Sequence, residues 1–394
     1  MNVEAGSEIL LSTGTVPSFN HGPKILWWKQ EHPDVYARIS SFVQPAAYAA
    51  MRLCGMKAEE SFIDHTYLHF SGFADNSAGT WNRSLLSRFG VSVEKLPRIL
   101  SPSEIVGRID RHAAAVSGLR EGTPVAAGCG DTAASFLASG ANEIGKCVDV
   151  AGTASVFAGT TGAYRIDEVS RSVACSRSVV PGLWHPYAYV NGGGMNLEWF
   201  RSIIGGVSSG SDSDAPSLEE LDRGAARLPL RHDDPIFVPH LGGRVMPNDS
   251  SLRGGWIGLN WTHGREHLYR AMLESIALEY GSYLRVMRSV FPEVEFSELR
   301  ATGGGSTSAF WNRMKATVCR MPVGTVAESK GSPAGAAMVA GVAVALFPDF
   351  SKVCDEWIRV EPAEIPDVSS AAYYSRRLAS YEQVLSRITG FRLQ

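Results

Sequence analysis

An α/β protein built from two related lobes is what the sequence predicts, and three observations predict it. Short apolar runs bounded by glycine alternate with amphipathic stretches at helical spacing, the texture of mixed strands and helices. The 394 residues exceed what one small core needs and fit two or three domains. A Gly-rich turn also recurs at an offset of 175 residues: Gly128-Cys129-Gly130-Asp131-Thr132-Ala133-Ala134 aligns with Gly303-Gly304-Gly305-Ser306-Thr307-Ser308-Ala309. Each copy follows an apolar strand and opens a helix. The offset is of domain length, far from the 20 to 50 residues of solenoids; spacing alone leaves chance open, because such turns are common.

Taken in chain order, KILWWKQEHPDVYARI and PAAYAAMRLCG predict helices between Pro23 and Gly55, where glycine ends the apolar periodicity. A polar, aromatic-rich stretch runs to Trp81, and NRSLLSRFG predicts the next helix. SPSEIVGRIDRHAAAVSG predicts another, capped by Ser103 with Val106 and Ile109 at helical spacing. TPVAAGCGD reads as a strand breaking into a Gly-rich turn, and TAASFLASG as the helix after it. CVDVAGTASVFAGTT gives two β-rich runs around a Gly-Thr turn, a hairpin. Strands follow at HPYAYVNGGG, PIFVPHLGG and ELRATGGGS; helices at REHLYRAMLESIALEYGSYLRVMRSV, TSAFWNRMKATVC and AAYYSRRLASYEQVLSRI. The run between Ser208 and Ser217 predicts a polar loop.

Composition excludes several function classes. Lys+Arg total 37 against 40 Asp+Glu, a net charge of -3, which argues against nucleic acid or an anionic membrane held by bulk charge. The six cysteines show no C-x-x-C spacing, and the first residues lack a basic region followed by an apolar stretch, so the default is a reducing compartment, the cytoplasm. Gly331 to Phe347 is Ala- and Gly-rich and falls short of the ~20 strongly apolar residues of a membrane span. It reads as a buried helix packed closely on its neighbours.

Chemistry concentrates at glycines. Gly303-Gly304-Gly305 before a helix and Gly152-Thr153 in the hairpin could present backbone N–H groups, and a hydroxyl, to phosphate oxygens. Neither fits the Walker or dinucleotide pattern, and tight turns required by packing are the plainer reading. Asp131 reads locally as the N-cap of its helix; its functional reading is a general base that accepts a hydroxyl proton as that oxygen attacks a phosphoryl group. The second copy of the turn has Ser306 there, so only the first lobe offers a base. His263 to His267 fits H-x-x-E-H, yet His263 lies in the approach to the helix and no acidic ligand follows, so zinc is set aside and no metal ligands are assigned. Arg244, Pro247, Asp249 and Arg253 form a loop that either lines a cleft or turns at the surface. Trp27, Trp28, Trp199, Trp256 and Trp311 read as core or domain-contact residues.

GGWIGLNWTHGREHLYRAMLE, Gly254 to Glu274, resembles the C-terminal signature of the FGGY carbohydrate kinases: a Gly-Leu pair, a fixed gap, His-Leu, then Ala-Met-Leu-Glu. GCGDTAA resembles the family's catalytic-aspartate turn, GTAS its phosphate-contacting hairpin, TGGGSTSAFWNRM its adenosine-binding turn and PKILWWKQEHPDVYARI its N-terminal signature. The resemblance covers nearly the whole chain and is nearest the xylulokinase-like branch. It implies the two-lobed ribonuclease-H-like fold of actin, Hsp70 and sugar kinases, with ATP and Mg2+ in the cleft and a pentulose such as xylulose as acceptor. Asp131 would meet the sugar and deprotonate its hydroxyl, Gly152 and Thr153 would meet the phosphates, and Thr262, Gly304, Gly305 and Ser308 would surround the nucleoside. Arg313 stands where glutamine is common, Thr317 where aspartate is common, and Gly242-Gly243-Arg244 lacks the usual glutamate.

The resemblance also implies an opening D-x-G-T hairpin and further strands, roughly a hundred residues at usual element lengths. Carried back by the repeat offset, the hairpin at Asp149 falls before Met1, so the first lobe is expected to lack its opening strands. The organisation expected is a sugar-lobe remnant over 1–144, a nucleotide lobe over 145–347 and a helical extension over 348–394. Two function classes follow: an ATP-dependent sugar kinase weakened by the shortened first lobe, or a non-catalytic remnant that binds nucleotide. Loss of a metal-holding carboxylate removes charge stabilisation worth about 10²–10³ in rate, so little or no turnover is expected from these residues alone. Besides sugar and ATP, the partner expected is a second copy or a complementing N-terminal fragment.

Overall fold

The computed structural model describes residues 1–18, 20–204, 215–328 and 330–390. The first lobe opens with four helices, α1 (Asn2–Thr13), α2 (His21–Glu31), α3 (Pro33–Arg38) and α4 (Pro45–Leu53). The single helix expected over KILWWKQEHPDVYARI is two, because Pro33 has no N–H to continue α2 and instead takes the first turn of α3. Next come β1 (Phe62–Asp64), a 3-10 turn over His65–Phe70, β2 (Ala74–Asp75), β3 (Thr80–Trp81), α5 (Arg83–Phe89) and β4 (Arg98–Leu100). The lobe ends with β5 (Ile105–Arg108), α6 (Arg111–Ser117), β6 (Pro124–Ala126) and α7 (Asp131–Ala138). Its strands pair two by two: β1 with β4 in parallel, β2 with β3 and β5 with β6 antiparallel.

The helix expected from Ser103 is a correction. Residues Ile105 to Arg108 form a strand on β6, and Gly107 lies so close to Cys54 that a Cβ there would stand 2.9 Å from Sγ. The helix starts only at Arg111, where Asp110 Oδ1 accepts from Ala113 N at 2.7 Å.

The second lobe holds β7 (Lys146–Ala151), β8 (Ser155–Gly159), β9 (Ala174–Arg177), β10 (Trp184–Val190), α8 (Gly193–Ile204) and α9 (Leu218–Ala226). It continues with β11 (Ile236–Val238), β12 (Gly255–Ile257), α10 (Arg265–Val290), β13 (Glu298–Thr302), α11 (Ala309–Cys319), β14 (Val323–Thr325), α12 (Ser332–Ala343), α13 (Phe350–Trp357) and α14 (Ala371–Ile388). The polar run expected as a loop at Ser208 to Ser217 lies mostly outside the described residues. One six-stranded sheet runs β14-β13-β7-β8-β10-β9. β7, β13 and β14 are parallel, with α11 as the crossover from β13 to β14, whereas β7, β8, β10 and β9 form antiparallel neighbours. The hairpin expected around Gly152-Thr153 is β7 and β8, registered Val150 on Val156 and Ala151 on Ser155.

Helix α10 runs through the middle of this lobe, and its charged residues survive burial only in pairs. Arg270 Nη2 meets Asp234 Oδ2 at 2.5 Å, Arg377 Nη2 meets Glu274 Oε2 at 2.8 Å, and Glu279 Oε1 meets His240 Nε2 at 3.3 Å. Of the tryptophans expected inside, Trp311 is buried and Trp256 packs partly against the core, but Trp27, Trp28 and Trp199 are exposed.

Two of the seams of contact between the lobes, among the described residues, bear on the cleft. α12 lies on α7 at Gly335, where a Cβ would come within 2.0 Å of the Ala134 carbonyl oxygen, so only glycine permits the approach. This is the close packing expected of the Ala-rich run, although α12 buries one side only. The second seam sets β9 against the 3-10 turn: Arg177 donates to Asn76 O, and His65 Nε2 lies 3.2 Å from Ser178 O.

Candidate active site

Both copies of the Gly-rich turn open on a glycine at positive φ, +76° at Gly128 and +84° at Gly303. The first runs straight into α7 at Asp131, whereas the second passes through a 3-10 turn over Gly304–Thr307 before α11 starts at Ala309. Their sheets differ, since β6 pairs with β5 alone and β13 lies between β7 and β14. At the first turn Asp131 is not the N-cap. Gly130 holds that position, and Asp131 begins α7 as an exposed side chain whose Oδ1 accepts only from the adjacent Thr132 N, at 2.8 Å. The N-cap reading is therefore wrong: Asp131 lies inside the first turn of α7, and its carboxylate is exposed with one bond to the neighbouring amide of that turn.

Asp131 lines a cavity of about 230 Å³ between the lobes. Thr66, Tyr67, His69 and Asp131 come from the first lobe; Ala154 at the hairpin turn, with Tyr187 and Tyr189 on β10, comes from the second. Burial holds His69 neutral, down to about 3, and raises Tyr67 to about 12, with Asp64 and Asp131 adding to the rise. Asp131 is the one carboxylate among these lining residues. The residues from His65 to Phe70 were read only as an aromatic-rich stretch; a 3-10 turn has no apolar period, so the clustering of Tyr, His and Phe in HTYLHF was the available signal.

The hairpin tip is exposed at Gly152 and Thr153. Gly152 N–H is already shared between Val150 O and Ala154 O, both at 3.1 Å, and Gly194 N and Met195 N donate to the carbonyls of Gly152 and Thr153 at 3.0 and 3.1 Å. What the tip presents outward is thus centred on Thr153. The glycines that open α8 went unassigned in the sequence, and they are what anchors the tip.

Gly303 presses on the end of β7, where a Cβ would stand 2.6 Å from Ala151 O, and a Cβ on Gly305 would strike both Trp311 and Ala151. The turn and the hairpin are packed together. Gly303 and Gly304 line a second cavity of about 690 Å³ with Thr307, Asn312, Thr325, Glu328, Glu361 and Glu364. Nothing lies within 4 Å of a Cβ at Gly304, which faces open space. Ser308 caps α11 by accepting from Trp311 N at 3.1 Å. Thr262 is exposed, bonded to Asn260 Oδ1 at 2.7 Å in the turn before α10. Of the residues the sequence singled out, Gly152, Thr153, Thr262, Gly305 and Ser308 line neither cavity; Asp131 lines the first, which the hairpin reaches through Ala154 and Val156, and Gly304 lines the second.

Beneath both, Asp149 on β7 accepts from Lys315 Nζ at 2.6 Å and from Tyr280 OH at 2.5 Å; Lys315 and Asp149 are fully buried, and Lys315 lies 3.8 Å from the Trp311 ring centre. The loop after β11 closes a bridge between Arg244 and Asp249, N···O 2.9 Å each way, and Met246 packs against the buried cluster of Phe136, Val148, Ala158, Ala174 and Tyr187, the last of which lines the first cavity.

Two lobes closing on a carboxylate turn and a Gly-Thr hairpin define the class of the actin, Hsp70 and sugar-kinase fold. Residues 7–138 match the N-terminal domain and residues 147–344 the C-terminal domain of the FGGY family of carbohydrate kinases, and the chain belongs to that family. It is 28% identical over 389 residues to the L-xylulose/3-keto-L-gulonate kinase of Escherichia coli K12, spanning 94% of this chain and 72% of the relative. It is 25% identical over 374 residues to the xylulose kinase of Bacillus subtilis 168, spanning 92% and 70%. The crystal structure of the xylulose kinase from Rhodospirillum rubrum superposes with a TM-score of 0.86 at 25% identity, covering 98% of this chain and 76% of that one. The chain is a carbohydrate kinase, as the Gly254 to Glu274 signature implied. No helix among the described residues is long and apolar enough to cross a membrane.

Proposed function

We propose that the chain transfers the terminal phosphoryl group of ATP to a hydroxyl of a pentulose such as xylulose, with Asp131 as general base. The observation that carries this reading is the shared cavity: Asp131 and Ala154 of the hairpin line the same space between the lobes. Phosphoryl transfer needs little covalent chemistry from the protein and depends on placing acceptor, phosphate and charge. Asp131, exposed at the start of α7, accepts the proton of the attacking hydroxyl. Thr153 at the tip meets phosphate oxygens, with Gly152 shaping the turn. Gly304 opens the nucleoside cavity; Gly305 and Ser308 fix its turn from behind, and Thr262 completes the nucleoside side. Carbohydrate relatives named for xylulose support the acceptor class.

Mg2+ typically keeps several waters and needs one or two carboxylates beside substrate phosphates rather than a protein cage. Asp131, the one carboxylate of the lining, is taken as the base, so Mg2+ would be held chiefly by the triphosphate oxygens and water. When bound, it neutralises charge developing on the phosphoryl oxygens. The six free cysteines suit a reducing cytoplasm.

The test is ADP release by the purified chain with D-xylulose, L-xylulose and other ketoses. Ketose-dependent release, even slow, that falls about 10²–10⁴-fold in Asp131→Ala supports the base. Release unchanged by Asp131→Ala refutes it. Nucleotide binding without any ketose-dependent release points instead to a non-catalytic nucleotide binder.

A further inference from the structure

We infer that Asp64 and Thr66 form a positioning brace for Asp131, a role that rests on the kinase reading above. Asp64 ends β1, and its Oδ1 accepts from Thr66 N at 2.9 Å and from Thr66 Oγ1. Taken alone, those two bonds are a local cap on the 3-10 turn. The third link is not local. Thr66 Oγ1 accepts from Gly130 N at 2.9 Å, across 64 residues of chain, and Gly130 immediately precedes Asp131.

The polarity of the relay is fixed by donor count. The Gly130 N–H can only donate, so Thr66 Oγ1 accepts there and its own single proton is left for Asp64 Oδ1. Gly130 N–H is one of the orphan donors at the start of α7 and has no partner within the helix. The Tyr67 ring closes over the same residue, 3.4 Å from where a Cβ on Gly130 would stand. The backbone one residue ahead of the base is therefore held by hydroxyl and ring together, and the base rides on it. Burial lifts the Asp64 carboxyl to about 7 against the pull of the two Thr66 bonds. A cap serving only its own turn could sit in solvent without that penalty.

Thr66→Val keeps the shape of the side chain and deletes the relay, while Thr66→Ser keeps the hydroxyl. A displacement of about 1 Å at a reacting group costs on the order of 10²-fold in rate. Thr66→Val is expected to lower kcat by roughly that factor with KM for ATP unchanged, and Thr66→Ser to restore most of it. In an Asp131→Ala background the same change is expected to alter turnover less than about twofold, because the brace acts through the carboxylate. Hydrogen exchange gives a readout independent of turnover: the Gly130 amide is expected to lose protection in Thr66→Val while Phe136 and Leu137 keep theirs. Wild-type kcat in Thr66→Val, an equal loss with and without Asp131, or unchanged Gly130 protection each overturns the brace. Unchanged turnover in Asp131→Ala overturns the assignment of Asp131 as base and this inference with it, whereas failure of the Thr66 variants alone overturns only the brace. Should Thr66→Val not fold, Thr66→Ala is read by the same measures.

Discussion

Lys315→Met leaves Asp149 buried with Tyr280 as its remaining partner. The pair spans 2.6 Å, both side chains are fully excluded from solvent, and it ties α11, which follows the Gly303 turn, to β7, which ends at the hairpin. Removing one partner of such a pair costs about 3–5 kcal/mol, because the surviving charge is left without compensation. For a lobe of this size that is a fall in melting temperature on the order of 10 °C. The double variant Lys315→Met, Asp149→Leu removes both charges and is expected to recover most of the loss, since apolar replacement of a whole buried pair is often neutral. The assay is thermal and urea denaturation of the four chains of the cycle, with ATP binding measured alongside. A single variant within about 1 kcal/mol of wild type, or a double variant no better than the single, would refute the reasoning.

Three further outcomes are expected. Gly335→Ala, whose Cβ would stand 2.0 Å from Ala134 O, should destabilise the chain by about 1–3 kcal/mol in urea denaturation by wedging α12 off α7. Gly303→Ala combines φ +84° with a Cβ 2.6 Å from Ala151 O, and should weaken ATP binding, read by calorimetry, more than it lowers affinity for the ketose. Acid should destabilise the fold: burial holds His21, His65 and His185 neutral down to about 4, and unfolding lets them protonate near 6.5, so their contribution is lost as pH falls through that window. Asp64 works oppositely, because a carboxyl raised to about 7 loses its contribution as pH rises from about 4 to 7. Asp64→Asn should therefore show a steeper loss of stability between pH 7 and pH 5 than wild type, and a shallower one would contradict this assignment.

What was legible in the sequence is what local chemistry dictates. The β7–β8 hairpin follows from β-rich runs around Gly152-Thr153, and the turn at Gly303 follows from a glycine run between an apolar strand and a Ser-capped helix. Asp131 was legible as a candidate base, but its place was not, because Asp is the favoured N-cap residue and the local sequence puts it there, one residue beyond the Gly130 that holds the cap. Val106 and Ile109 match helical spacing by coincidence; the contact of Gly107 with Cys54 and the pairing with β6 are tertiary and overrode it. α1 carries a non-helical break at Ala5 and little amphipathic contrast, so it left no periodic trace. The links from Thr66 to Gly130 and from Lys315 to Asp149 join residues 64 and 166 positions apart, which no window along the chain can register.

The bonds at the hairpin tip have a thermodynamic consequence. Val150 and Ala154 hold Gly152 N–H, and the first amides of α8 hold the carbonyls of Gly152 and Thr153, all without help from any ligand. A loop tied down in this way surrenders its conformational freedom when the chain folds, not when a phosphate arrives. On the proposed reading, in which the tip meets phosphate, preorganisation of that kind removes an ordering penalty from the association step and leaves affinity there to charge and geometry rather than to the entropy of closing a loop.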